Sequence, residues 1–131
     1  MFDSSKAYSG FAVDDLEKAR EFYGETLGVK VSQVAEGLPL IQLELAGGER
    51  PTLVYQKDEV QPANYTILNF PVDDVDAAVD ALAERGVSFD RYEGFNQDEK
   101  GIAHPEEEGQ GPSIAWFKDP AGNILAVHEE I

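Results

Sequence analysis

The chain has 131 residues, 42% of them hydrophobic and 27% charged, the profile of a globular domain with a real core. Its 26 acids and 10 bases leave a net charge of −16, which repels phosphate backbones and anionic lipid and so argues against nucleic-acid and membrane partners. With no cysteine, disulfides, a thiolate nucleophile and a cysteine zinc site are excluded.

No apolar run approaches the ~18 residues of a membrane span. The opening stretch MFDSSKAYSG lacks the basic-then-apolar layout of a signal peptide, so a cytoplasmic location is expected. The acidic surface would attract a cationic ligand over long range.

The first predicted element is a short strand in AYSGFAV, residues 7–13, from its alternating pattern. Asp14, with Glu17 three residues on, is placed to cap a helix whose apolar face is Leu16, Ala19, Tyr23 and Leu27. Gly28 falls where a C-terminal glycine cap belongs. Three strands are expected next, in VKVSQVA, LIQLELA and TLVYQ, with Gly47-Gly48 as a turn.

The pattern then repeats. Val13-Asp14-Asp15-Leu16 matches Val72-Asp73-Asp74-Val75 at an offset of 59, while Gly28-Val29 matches Gly86-Val87 at an offset of 58. The first helix therefore carries one extra residue. In the second copy YTILNFPV is the strand, Asp73 with Asp76 the cap, and Val75, Ala78, Val79 and Leu82 the apolar face. Strands are expected in VSFDRYE, SIAWFK and ILAVHE, with DPAGN as a turn. The reading is α+β: two βαβββ modules at about 5–57 and 65–131, joined by a linker at about 58–64. Neither module buries both faces of its sheet alone, so a single domain over 1–131 is expected. Residues 92–112, YEGFNQDEKGIAHPEEEGQGP, form a long irregular piece, either a lid or wall of a site or a plain solvated loop. Its EEE run reads as solvated.

The paired layout, VDDLEKAREFYGETLG and WFKDPAGNILAVHE together resemble the vicinal oxygen chelate superfamily: glyoxalase I, extradiol dioxygenases and bleomycin-resistance proteins. The resemblance implies two modules whose sheets curl around a cleft. In the metalloenzymes of this group four inward side chains, usually His, Gln or Glu, hold a divalent ion that chelates adjacent substrate oxygens. Carried onto this chain, the ligand positions become Tyr8, Ile67, Ala126 and Thr52, with Val54 as an alternative to Thr52. Ile67 and Ala126 have no donor atom, so no metal and no cofactor is expected. A shifted register offers only His128 and Asn69; His104 lies far along the loop.

By parity with those positions, the cleft should be lined by Tyr8, Gly10 and Ala12, by Tyr65, Ile67 and Asn69, and by Ala126 and His128. Either Trp116 or Phe117 should join them, with Tyr55 and Phe95 as further candidates. Each has a plainer reading. Tyr8 and Trp116 serve equally as core, Asn69 as a partner for backbone, and His128 as a structural imidazole rather than a general base. No Ser-His-Asp spacing, phosphate loop or nucleotide fingerprint is present.

The leading expectation is a protein that binds a small organic molecule without a catalytic metal, with bleomycin-resistance proteins as the analogy. The resemblance leaves two alternatives: a metal-dependent lyase, isomerase or dioxygenase with displaced ligands, and a non-catalytic interaction or regulatory module. A homodimer is expected, because superfamily members commonly dimerise and paired sheets leave edges to cover.

Overall fold

The computed structural model describes residues 1–106 and 111–130. The chain forms two compact units, Met1–Gln61 and Pro62–Ile131.

The first unit runs β1 (Gly10–Val13), α1 (Leu16–Arg20), a π-helical turn (Glu21–Thr26), β2 (Lys30–Gln33), β3 (Leu40–Glu44) and β4 (Thr52–Gln56). Its sheet has the order β1-β4-β3-β2, with β1 parallel to β4 and the other pairs antiparallel. This is the expected βαβββ path. Register puts Val13, Ile41, Leu43, Thr52 and Val54 on one face, all buried. Full burial of Ile41, Leu43 and Val54 contributes roughly 1.5–3 kcal/mol each, and Ala19 and Tyr23 are buried as well.

The helix start is shifted by one residue from the sequence expectation. Asp15, not Asp14, is the N-cap: its side chain accepts from Lys18 N–H at 3.1 Å. Asp74, not Asp73, does the same for Ala77 N–H at 3.1 Å. A carboxylate must sit at the last non-helical residue to reach the orphan N–H groups, and each upstream acid is one residue too early. The extra residue of the first copy is taken up by the π turn, where Leu27 N–H donates to the Phe22 carbonyl at 2.9 Å, five residues back instead of four. Both helices stop at a glycine with positive φ, 74° at Gly28 and 90° at Gly86.

The second unit contains β5 (Thr66–Val72), α2 (Val75–Glu84), β6 (Ile114–Lys118) and β7 (Ile124–Glu129). Its sheet has the order β5-β7-β6, with β5 parallel and β6 antiparallel to β7. One face, with Ala115, Phe117, Leu125 and Val127, is buried, and α2 packs against β6 and β7. The other face carries Thr66, Asn69, Ile114, Trp116, Ile124, Ala126 and His128, by register.

The strand expected in VSFDRYE does not form. Only Phe89 makes an isolated bridge, to Phe117, and Asp90 N–H donates to the Trp116 carbonyl at 2.8 Å. The chain then leaves the sheet in an excursion over residues 91–104. The side-chain amide of Gln97 takes the bonds a strand neighbour would have made: its Oε1 accepts from Tyr92 N–H at 2.8 Å, and its Nε2 donates to the Asp90 and Gly101 carbonyls at 2.9 Å each. The chain rejoins the sheet where Ala103 bridges Ile114. Residues 92–106 are therefore not a plain solvated loop: Ile102 and Ala103 are buried. Of the EEE run, Glu107 and Glu108 lie outside the described residues.

The DPAGN turn is tied by a buried carboxylate. Asp119 Oδ1 accepts from Ala121 N–H and Asn123 N–H, and Oδ2 from the Asn123 amide, each at 2.9 Å. Gly122 has φ 94°, and a Cβ there would meet Pro62 Cγ at 3.2 Å. Gly122→Ala should cost about 1–3 kcal/mol in urea unfolding. Gly47→Ala, with open space around its Cβ, should stay within about 0.5 kcal/mol.

Candidate functional site

The second unit holds an open pocket of about 200 Å³ lined by Asn64, Tyr65, Thr66, Tyr92, Phe95, Trp116 and Ile124. Its floor is the sheet face away from Phe117: Trp116 comes from β6, Ile124 from the start of β7 and Thr66 from β5. Alternation decides between the two sequence candidates. Phe117 is buried in the core beside Phe89, ring centroids 5.7 Å apart, so Trp116 on the opposite side is the pocket residue.

The wall comes from the excursion. Phe95 tilts over Trp116 with centroids 4.9 Å apart, and Tyr92 meets it edge-on at 5.5 Å and 88°, both favoured aromatic arrangements. Phe95 and Tyr65 remain more than half exposed, at 54% and 67%, so their rings face solvent or an incoming ligand. The Tyr92 hydroxyl donates to Asp90 Oδ2 at 3.3 Å, and Lys118 Nζ lies 3.6 Å from the same oxygen. Burial, the neighbouring Asp90 charge and that hydrogen bond together push the phenol above its ordinary value of 10.0. Tyr92 is thus a neutral phenol whose oxygen can still accept a hydrogen bond from a ligand.

Below the tip, a chain of side chains closes the excursion. His104 Nε2 lies 2.8 Å from Asp98 Oδ2, and His104 Nδ1 lies 3.1 Å from Ser113 Oγ. These are the three residue types of a nucleophilic triad, though no sequence spacing pointed to them. The burial is inverted for that role: Ser113 is 9% exposed, while the His104 and Asp98 side chains are 42% and 32% exposed. A nucleophile must reach substrate and its orienting acid sits deep, so this chain acts as a brace. Burial alone would raise the Asp98 carboxyl. Hydrogen bonds from His104, Ile102 N–H and Lys100 N–H outweigh it and hold the group below its ordinary 3.8.

Of the residues singled out in the sequence, Tyr65, Phe95 and Trp116 line this pocket. Tyr8 precedes β1, is 55% exposed and lies under the Arg50 guanidinium, 4.8 Å from its ring centre. Tyr55 is exposed and belongs to the first unit. Ile67 sits at a register break of β5 between Thr66 and Leu68. That extra residue reverses the alternation, so Thr66 rather than Tyr65 or Ile67 shares the face of Ile124. Asn69 shares the face of Ala126 but is exposed. Ala126 and His128 are buried outside the pocket lining, and His128 Nδ1 is engaged by the Glu129 carbonyl. Asn64, Thr66, Tyr92 and Ile124 were not singled out; Tyr92 was legible only as one aromatic of the long loop.

The positions that the resemblance assigns to metal ligands do not suit a divalent ion. Thr52, like Val54, lies on the buried face of its sheet, opposite to Gly10 and Ala12, with its hydroxyl 3.3 Å from Ser9 Oγ. Its parity is the wrong one for a residue that shares the open face. Ile67 and Ala126 offer no donor. Among the described residues, no group of three or more His, Asp or Glu stands close enough to hold a metal, and no helix is long and apolar enough to cross a membrane.

Comparison with known proteins agrees with this architecture. A profile of the Glyoxalase/Bleomycin resistance protein/Dioxygenase superfamily matches residues 7–127, and the chain belongs to that superfamily. The uncharacterized protein YraH of Bacillus subtilis (strain 168) is 26% identical over 133 residues, 89% of this chain and 91% of YraH. TnmS3, an antibiotic binding protein from Streptomyces sp. CB03234, is 25% identical with a TM-score of 0.65, covering 95% of this chain and 96% of its own. FosX, the genomically encoded fosfomycin resistance protein of Listeria monocytogenes, shares the fold at 16% identity and a TM-score of 0.70, over 95% of this chain and 92% of FosX.

The Asp98 shift has a fixed sign in stability. A carboxyl held low in the folded state binds fewer protons than in the unfolded chain, so its contribution is present above 3.8 and is lost as pH falls through the folded value. In thermal unfolding between pH 7 and pH 2, Asp98→Asn should lie below wild type at neutral pH. The two curves should converge as pH drops under about 3.8.

Proposed function

We propose that this protein binds a small organic molecule through a flat, unsaturated group laid against Trp116, without a divalent metal at the superfamily's ligand positions. The observation that carries the reading is the grouping of Tyr65, Tyr92, Phe95 and Trp116 around one open pocket, with two of these rings more than half exposed. Exposed aromatic surface is costly to leave in water, and stacking against a second ring removes it.

Size narrows the ligand. About 200 Å³ is below the ~300–1,000 Å³ of pockets that swallow a drug-sized molecule, so the pocket seats one ring system and leaves the rest of a larger ligand outside. Charge narrows it further. Among the described residues none that lines the pocket is charged, Asp90 stands behind the Tyr92 hydroxyl, and the chain carries −16. An aromatic cation is therefore favoured, by the ring faces at short range and by the whole-protein field at long range. The description of TnmS3 as an antibiotic binding protein supports a small organic molecule as the ligand class. We take the protein to act in the cytoplasm as a homodimer, since edge strands such as β1, β2 and β5 favour being covered.

Acridine orange, a flat aromatic cation, is a suitable probe in isothermal titration calorimetry. Saturable binding is expected, unchanged by EDTA and weaker at high salt. Trp116→Ala should weaken it about tenfold or more, since loss of a stacking platform costs ~1–3 kcal/mol. Affinity that survives Trp116→Ala, or that appears only with added metal, would overturn the reading.

A further inference from the structure

We propose that Gln97 is a positioning residue for this pocket: its side-chain amide fixes the backbone that carries Tyr92 and Phe95, so the aromatic wall facing Trp116 is preformed. The proposal rests on the reading that ligands bind there.

Phe95 cannot be held by its own burial, because its side chain is more than half exposed. Its place over Trp116 depends on the path of the chain. That path turns at Gly94, with φ 89°, and returns through Gln97. The Gln97 amide spans both limbs of the turn. Oε1 accepts from Tyr92 N–H at 2.8 Å on the outgoing limb. Nε2 donates to the Asp90 carbonyl on the same limb and to the Gly101 carbonyl on the returning one, at 2.9 Å each. Both amide hydrogens and the amide oxygen are thus committed, and the segment Tyr92–Gln97 is closed into a ring with Phe95 inside it.

The base of the excursion has its own fixings. Arg91 Nη2 donates to the Asp98 and Glu99 carbonyls at 2.8 Å each. Lys100 Nζ reaches Asp80 on α2 at 3.1 Å, and His104 links Asp98 to Ser113. None of these bonds involves Gln97. Removing its amide should therefore loosen the tip that bears the rings and leave the base and the fold in place.

The chain has a single tryptophan, so its fluorescence reports the pocket directly. Gln97→Met keeps side-chain length and loses all three bonds; Gln97→Glu keeps only the acceptor for Tyr92 N–H. Without ligand, the Met variant should show red-shifted Trp116 emission and stronger acrylamide quenching than wild type, with far-UV circular dichroism unchanged. The Glu variant should fall between them. If the braced wall drops to about a tenth of the population, apparent affinity for acridine orange falls about tenfold. Unchanged quenching in the Met variant, or unchanged affinity beside altered quenching, would sink the proposal. Absence of acridine orange binding in wild type would count against the ligand reading, while the quenching comparison would still decide whether Gln97 holds the wall. Should the Met variant lose its far-UV signal, the Glu variant carries both measurements.

Discussion

The second unit is governed by the need to satisfy backbone N–H and C=O groups after the chain leaves β6's side at Asp90. An unpaired buried backbone group costs about as much as a lost hydrogen bond. A fourth strand would have met that need with main-chain bonds. Here side chains meet it instead: Gln97 for the part-buried limbs of the turn and Asp98 for the Ile102 N–H, while Arg91 ties the exposed carbonyls of Asp98 and Glu99. The consequence is functional. A strand would have laid Tyr92 along the sheet, whereas the excursion lifts Tyr92 and Phe95 over Trp116 and makes a concave site from a flat face.

The two copies of the repeat show how one local plan tolerates change. Each helix is capped by the second of two aspartates and ended by a glycine with positive φ. The one-residue insertion in the first copy is absorbed by a π turn without disturbing either end. Beyond the helices the copies diverge: the first keeps three strands after its helix, and the second trades one of them for the excursion. At the positions that the resemblance assigns to the superfamily's metal ligands, Ile67 and Ala126 carry no donor and the Thr52 side chain is buried.

Much of this was legible in the sequence because it depends on neighbours along the chain. Helix faces, glycine stops, the DPAGN turn and the repeat follow from periodicity and capping chemistry. Assignments that required strand parity across a gap did less well. The bulge at Ile67 moved Thr66 onto the pocket face, and Thr52 proved to be on the opposite face from Gly10 and Ala12. The excursion was the least legible part. Its bonds join residues by side chains of no fixed spacing, so Asp98, His104 and Ser113 looked unrelated, and Gln97 looked like one polar residue among many. The VSFDRYE strand stops for a related reason: its β pattern is real, but beyond Asp90 the backbone groups of Ile114 on the edge of β6 are taken by Ala103.

The proposed function turns on a flat organic ligand meeting Trp116 with no metal between them. A single tryptophan gives a single indole N–H resonance, so a nitrogen-edited NMR titration with acridine orange in the presence of EDTA addresses it directly. This one resonance should shift progressively and saturate along with the amides of Thr66, Tyr92 and Phe95. An indole resonance that stays fixed while signals elsewhere move, or that moves only after metal is restored, would contradict it.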